Sequence, residues 1–364
     1  MFRKIIDFCS KNGFLKVVEY SSLNVFELKI GPPGALLQEN LRREWLDNLV
    51  HSKDICVFYN YNDFKHCYDY ARSLMFQTVP IGIVEILPSK KQSFIDVEKI
   101  NICGTDEKTN NFADYFMNDY RLIYTMFVAP SMANQFFHQI QRQRKIWWRK
   151  ISASPGRYSL SDIQNGNNLA DSQYSVNIES KYTWGNHILE TISLFSKNHT
   201  GLCNADLMVK DGKKQVPAVY IKCETRLSNL LLNSLCDAYE EPVIQSEKRP
   251  LFRFHRKVAP YKISFSATLP KSELLDELQD LTTYLSKLLR NNNITTLLIA
   301  ENVKKTLEAQ YRQYDELGIP YTVVLNEATL RDGIAWLRNR DTTLKEQVHV
   351  ADLVSYVEKI YKHF

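Results

Sequence analysis

Apolar residues recur at helical spacing from the start of the chain. Phe2, Ile5, Ile6 and Cys9 fall on one face, and Gly13 follows as a helix stop. Gly31, Pro32, Pro33 and Gly34 break the chain, and Leu37, Leu41, Trp45 and Leu49 then recur at every fourth position, which predicts an amphipathic helix. Over 55–105 short apolar runs alternate with turns, and the clearest run, 79–88, predicts a strand pair or one bent strand. Residues 104–119 are polar and read as a loop, 122–128 as a buried strand, and 132–151 as a long helix. Ser, Asn and Asp dominate 152–178, which predicts a long connection. Trp184 and Gly185 precede an apolar stripe at Ile188, Ile192 and Phe195; a strand over 216–223 and a helix over 227–239 follow.

The pattern changes after residue 240. Residues 240–253 are charged and contain Pro242 and Pro250, so a domain boundary is placed here. Beyond it, strands are predicted over 259–267, 295–300, 321–325, 334–338 and 344–350. Helices are predicted over 273–290, with Leu274, Leu278, Leu281, Leu285 and Leu288 on one face, and over 303–317 and 352–361. This order implies a layered α/β domain. The expected organisation is a first domain over 1–240, a linker over 241–256 and a second domain over 257–364. No internal repeat stands out.

Composition narrows the function classes only slightly. The 364 residues are 44% hydrophobic and 24% charged, an ordinary balance for a globular chain. No apolar run approaches the length of about eighteen residues that a membrane-spanning helix needs. Lys and Arg number 46 against 41 Asp and Glu, a net charge of +5 that permits polyanion contact and equally suits a mixed solvated surface. The seven cysteines, at 9, 56, 67, 103, 203, 223 and 236, are odd in number and irregularly spaced. They fit reduced thiols better than a disulfide framework or a zinc site. Residues 1–20 mix Arg3, Lys4, Lys11 and Lys16 with Asp7 and Glu19. A basic amphipathic start is compatible with a mitochondrial presequence and with the first helix of the fold; the acidic residues and scarce Ser favour the helix.

Familiar catalytic signatures are missing. The sequence holds no G-x-G-x-x-G, Walker A loop, G-x-S-x-G or H-E-x-x-H. His138, His187 and His349 lie within helix or strand patterns, where packing or surface roles are expected. What stands out is the basic, aromatic run of the 132–151 helix. Arg142, Lys145 and Arg149 share one face, with Lys150 beside them, while Arg144 and Trp148 share another. The first set suits sequence-independent tracking of duplex DNA phosphates. Trp147 and Trp148 are expected in the core. A second basic group, Lys213, Lys214, Lys248, Arg249, Arg253, Arg256 and Lys257, lies near the boundary and suits either phosphate contact or solvation.

Four stretches together resemble a glycyl-type class II aminoacyl-tRNA synthetase. Gly31 to Gly34 with the following LLQENLRREW is similar to the motif 1 turn and helix. RQRKIWWRKISASP and YSVNIESKYTWGNHILE are similar to the helix and inner strands of the catalytic domain. PAVYIKCETRLSNLLLNSLCDAYEE resembles motif 3, and FHRKVAPYKISF, YDELGIPYTVVLNEATLRDG and LRNRDTTLKEQVHV resemble the anticodon-binding domain. The resemblance implies an α+β class II synthetase-like antiparallel-sheet domain followed by an α/β anticodon-binding-like domain. It also exposes departures. The only Arg-x-Glu, Arg42 to Glu44, lies on the motif 1 helix rather than on a motif 2 strand. Arg226 matches the motif 3 arginine, but Lys222, Cys223, Glu224 and Thr225 replace the small residues before it. Glu224 would repel nucleotide phosphates at close range.

Retained scaffold and lost site together resemble the accessory-subunit family of mitochondrial DNA polymerase gamma, as do Trp147 to Lys150 followed by Ser154 and Pro155, and Arg338 to Thr343. About 30 residues separate Asn48 from Pro80, too few for the four-helix dimerisation insertion of vertebrate members. The resemblance is thus to the insect-type subunit. It implies one accessory chain per catalytic chain, a mitochondrial matrix (nucleoid) location, and a non-enzymatic processivity role in mitochondrial DNA replication with no cofactor or metal of its own. Docking to the catalytic chain is implied for Gly333, Arg338, Arg340, Asp341, Thr342 and Thr343. Gly333 itself is expected at positive φ in a tight turn. The alternatives are a working glycyl-type synthetase, needing ATP, Mg2+ and a dimer, and a tRNA-binding relic.

Overall fold

A computed structural model describes the chain except residues 21–24, 52–54, 91–94, 97–111, 166–172, 196–201, 203–206, 245, 269–273, 300–303 and 363–364. The described residues form two compact units. One comprises Met1–Ser10, Leu15–Ile30 and Leu41–Ser234; the other comprises Lys11–Phe14, Gly31–Asn40 and Leu235–Phe364.

The chain opens with α1 (Phe2–Lys11), whose Phe2, Ile5, Ile6, Phe8 and Cys9 are buried as the spacing requires. A hairpin, Leu15–Tyr20 against Val25–Ile30, leads to α2 (Pro32–Val50). Proline suits the first turn of a helix, where its missing N–H would have no partner. Gly31 is demanded by close approach: a Cβ there would lie 1.9 Å from the Gly13 carbonyl oxygen. Leu37, Leu41, Trp45 and Leu49 are all fully buried along α2.

The first unit is built on an eight-stranded sheet. Its strands are β1 (Val57–Asn60), followed by helix α3 (Phe64–Leu74), then β2 (Ile81–Lys90) and β3 (Asn118–Val128). Helix α4 (Ala133–Lys150) precedes β4 (Tyr158–Leu160), β5 (Tyr174–Tyr182) and β6 (Gly185–Phe195), and β7 (Val219–Arg226) leads into helix α5 (Leu227–Ala238). The order is β1-β2-β3-β7-β6-β5-β4, with Gln164–Asn165 also paired to β5. Only the β1–β2 pairing is parallel along this path. The run at 79–88 is therefore one strand rather than a pair. The connection expected over 152–178 is instead partly sheet: Val176, Ile178, Ser180 and Tyr182 are buried at alternate positions of β5, a two-residue period hidden among Ser and Asn. Of the loop expected over 104–119, residues up to 111 lie outside the described ones; Asn118 already belongs to β3.

Register places Glu190, Ile192 and Leu194 of β6 on the same face as Cys223 and Thr225 of β7 and Val176 and Ile178 of β5. All of these are buried, and α4 covers this side. The other face carries Asn177, Thr191, Ser193, Lys222 and Glu224, all partly exposed.

The second unit contains a five-stranded mixed sheet. Strand β8 (Ile263–Ala267) is followed by α6 (Leu275–Asn291), β9 (Thr296–Leu297), α7 (Leu307–Glu316) and β10 (Tyr321–Leu325). Helix α8 (Glu327–Asp332), strands β11 (Ile334–Asn339) and β12 (Lys345–His349), and helix α9 (Leu353–Lys362) complete it. The order is β9-β8-β10-β11-β12, parallel around β8 and antiparallel beyond β10. Leu278, Leu285 and Leu289 of α6 pack with Ile263, Phe265, Val323 and Leu337 in its core. Residues 241–256, expected as a linker, fold with this unit. Leu251 and Phe252 pair with Tyr239 and Glu240, and Phe252 and Phe254 are buried and stacked, 5.1 Å between ring centroids. The charged neighbours had masked these apolar residues.

Candidate functional surfaces

The partly exposed face of the first sheet is where the synthetase resemblance would put a nucleotide. Arg121 of β3 and Glu224 of β7 sit diagonally across the pairing of those strands, and Arg121 Nε donates to Glu224 Oε1 at 2.7 Å. Lys222, two residues along β7, brings its Nζ to 2.9 Å from Glu224 Oε2. Burial pushes the Glu224 carboxyl up, but hydrogen bonds and charge from Arg121 and Lys222 prevail and hold it below its usual value. A cavity of about 290 Å³ opens over Thr191, Lys222, Glu224 and Arg226. Two cations of this face, Arg121 and Lys222, are thus occupied by a carboxylate of the same sheet. At the end of β7, Asp119 accepts from the Ser228 N–H at 3.0 Å and from the Ser228 hydroxyl, supplying an anion to the first turn of α5. Among the described residues no group of His, Cys, Asp or Glu gathers as metal ligands.

Helix α4 separates its basic residues by face. Arg142, Arg149 and Lys150 are exposed and Lys145 is half-buried. Arg144 is fully buried. Its Nε donates to Glu190 Oε1 at 2.8 Å, its Nη2 to Oε2 at 3.1 Å, and its Nη1 to Asn48 Oδ1 at 3.1 Å. Trp148 Nε1 donates to the same Glu190 Oε2 at 2.7 Å, and the Arg144 guanidinium lies 4.4 Å from the Trp147 ring centroid. The expectation that Trp147 and Trp148 are core residues holds: they are 3% and 0% exposed. Glu190, the anion that organises this network, was not singled out from the sequence. Its only signal is position, one acid among apolar strand residues opposite an arginine on a tryptophan face.

In the second unit, Gly333 caps α8 at φ +70°, as expected of a tight turn, and its N–H donates to Thr329 O at 2.9 Å. A Cβ there would lie 2.6 Å from His349 Nε2. Arg338 and Arg340, expected to face a partner, point inward instead. Arg338 makes a two-pronged pair with Asp315, both contacts 2.9 Å. Arg340 donates to the carbonyls of Phe252 at 3.0 Å, Gly318 at 2.8 Å and Phe254 at 3.0 Å, and to Asp341 Oδ1 at 2.9 Å. Several carbonyls turned away from their own ladders need a multidentate donor, and arginine supplies one. Their partner-facing reading is corrected on that ground. Asp341, Thr342 and Thr343 remain exposed on the β11–β12 turn, next to Leu344, which is 69% exposed. Arg340 holds Asp341 and Arg338 meets Thr343 in one cavity wall, but both arginines are themselves buried, and Gly333 lies at the opposite end of β11.

Comparison with known proteins adds what geometry alone does not. Residues 265–360 match the anticodon binding domain family. The chain is 31% identical over 249 residues to DNA polymerase subunit gamma-2, mitochondrial, of Drosophila melanogaster, covering 65% of each chain. It is 30% identical over 242 residues to the subunit of that name from Xenopus laevis, covering 64% of this chain and 50% of the relative. Glycine--tRNA ligase of Borreliella afzelii is 29% identical over 246 residues, 64% of this chain and 53% of the ligase. The chain thus spans between half and about two thirds of the length of these relatives. The double resemblance read from the motifs is the one found: over about two thirds of its length this chain is similar to subunit gamma-2 of mitochondrial DNA polymerase and to glycine--tRNA ligase, and it carries a match to the anticodon binding domain.

Proposed function

We propose that the chain is a non-catalytic accessory subunit of mitochondrial DNA polymerase, acting in the mitochondrial matrix on a synthetase-like scaffold that has lost adenylate chemistry. The carrying observation is the Arg121–Glu224–Lys222 cluster. Adenylate formation requires preorganised cations facing a polyphosphate. Here a carboxylate occupies that face and engages two of its cations. The similarity to gamma-2 subunits supports the same reading.

In mechanism, the second domain docks on the catalytic chain through the exposed Asp341, Thr342 and Thr343 turn. Gly333 maintains the shape of the same strand from its far end. The exposed face of α4, Arg142, Lys145, Arg149 and Lys150, adds phosphate contacts to primer-template DNA. Linking protein and DNA contacts lowers the off-rate without altering the polymerase chemistry. One accessory chain per catalytic chain is the stoichiometry implied by the resemblance to the insect-type subunit, and the short 48–80 segment supports it.

The test separates subunit from synthetase. The chain should co-elute at one-to-one stoichiometry with the catalytic subunit and show no glycine-dependent exchange of pyrophosphate into ATP. Glycine-dependent exchange would make it a synthetase. Tight tRNA binding without polymerase contact would make it a relic of one.

A further inference from the structure

A cavity of about 250 Å³ lies within the second unit, beside the β11–β12 turn, whose Thr343 forms part of its wall. It is lined by Arg249, Glu308, Tyr311, Arg312, Arg338 and Lys345, with Asp315 at the Arg338 side. Four cations therefore face two carboxylates, a surplus of two positive charges. Asp315 is engaged by Arg338, and Glu308 by Arg249. Of the remaining cations, Arg312, its own side chain half exposed, makes one long hydrogen bond of 3.4 Å to the buried Glu316. Lys345 makes no ion pair among the described residues.

Lys345 is exposed. It sits directly opposite Arg338 in the β11–β12 register, and like charges in that position repel. Both cations lie over the Tyr311 ring, at 4.5 Å for Arg338 and 5.3 Å for Lys345. The ring face offsets part of the repulsion. The ring of Tyr311 forms part of the cavity wall, while its hydroxyl is buried and makes no hydrogen bond among the described residues.

We infer that this cavity is a binding site for a dianionic phosphoryl group, free or carried by a small molecule. The surplus of two charges matches a phosphate monoester better than a carboxylate. Arginine and lysine supply the charge-assisted donors such a group takes. The volume lies just below that of ordinary small-molecule sites, so the ligand is small.

The experiment uses the full chain, titrated at constant ionic strength with inorganic phosphate, adenosine 5′-monophosphate and acetate, with binding read by calorimetry. Saturable binding of phosphate or the nucleotide is expected, with acetate inert. Lys345→Gln combined with Arg312→Gln should weaken it by about tenfold or more. Lys359→Gln, an exposed basic change on α9 away from the lining, should leave it intact. Equal affinity for the two phosphates assigns recognition to the phosphoryl group alone, and tighter nucleotide binding adds its organic part. Absence of saturable binding, equal binding of acetate, or no weakening in the double variant with an unchanged melting profile would overturn the inference.

Discussion

Glu190 shows how one side chain can fix the arrangement of a helix on a sheet. It accepts two hydrogen bonds from Arg144 and one from Trp148, all within the buried layer between α4 and β6. Removing one partner of a buried ion pair leaves the other charge uncompensated, at a cost of about 3–5 kcal/mol. Glu190→Ala should therefore lower the urea midpoint reported by tryptophan fluorescence by that equivalent. Lys145→Ala, on the outer face of the same helix, should change stability by less than about 0.5 kcal/mol. Equal effects would contradict the separation of faces. Glu224 provides a pH signature. A carboxyl held low in the folded state contributes stability that is present above its usual value of 4.5 and is lost as the pH falls through the lowered one. Arg121→Met should raise the Glu224 pKa by NMR titration and flatten the acid limb of stability below that value. An unmoved Glu224 titration would remove the cluster from the account. Arg144 illustrates what was legible at this scale: its shared face with Trp148 was readable from helical periodicity, whereas its acid partner lay on a distant strand and required the fold.

Helices and strands differed in how openly the sequence declared them. α2 and α6 carry apolar residues at helical spacing over many turns and were read directly. Spacing alone placed the start of β5 in a connection, because Ser175, Asn177, Glu179 and Lys181 separate its apolar residues, although Val176, Ile178 and Tyr182 keep the two-residue period; the synthetase resemblance was what read strands there. α8 was missed because it is only six residues long, yet Asn326 and Thr329 form a reciprocal capping box that announces it. Its other end depends on Gly333. Gly333→Ala combines a left-handed backbone with a Cβ pressed on His349, and should destabilise the second unit by about 1–3 kcal/mol. Faster amide exchange in β11 and β12 is the measurement; unchanged exchange would contradict it. For α4, replacing Arg142, Arg149 and Lys150 with Gln should leave the melting profile unchanged. The slope of log affinity for duplex DNA against log salt should become shallower by about one for each phosphate-bound cation replaced. An unchanged slope would place DNA elsewhere.

At the scale of the whole chain, the change in pattern after residue 240 reflects two differently built sheets, one largely antiparallel and one with a parallel centre. The membership of Lys11–Phe14 and Gly31–Asn40 in the second unit was not legible, because it depends on residues far apart in sequence, such as Asn40, whose Nδ2 donates to the carbonyls of Val258 and Ala259. The same holds for the candidate site. An acid at position 224 in a motif 3-like stretch was readable as hostile to a nucleotide, but its engagement by Arg121 and Lys222 was not. The central claim is that this scaffold serves a polymerase rather than an aminoacylation reaction. Its most direct test is primer extension by the cognate mitochondrial catalytic subunit, with and without this chain, over a salt series under single-binding conditions. Longer products per binding event at moderate salt are predicted. Unchanged product length, with the catalytic subunit active on its own, would contradict the account.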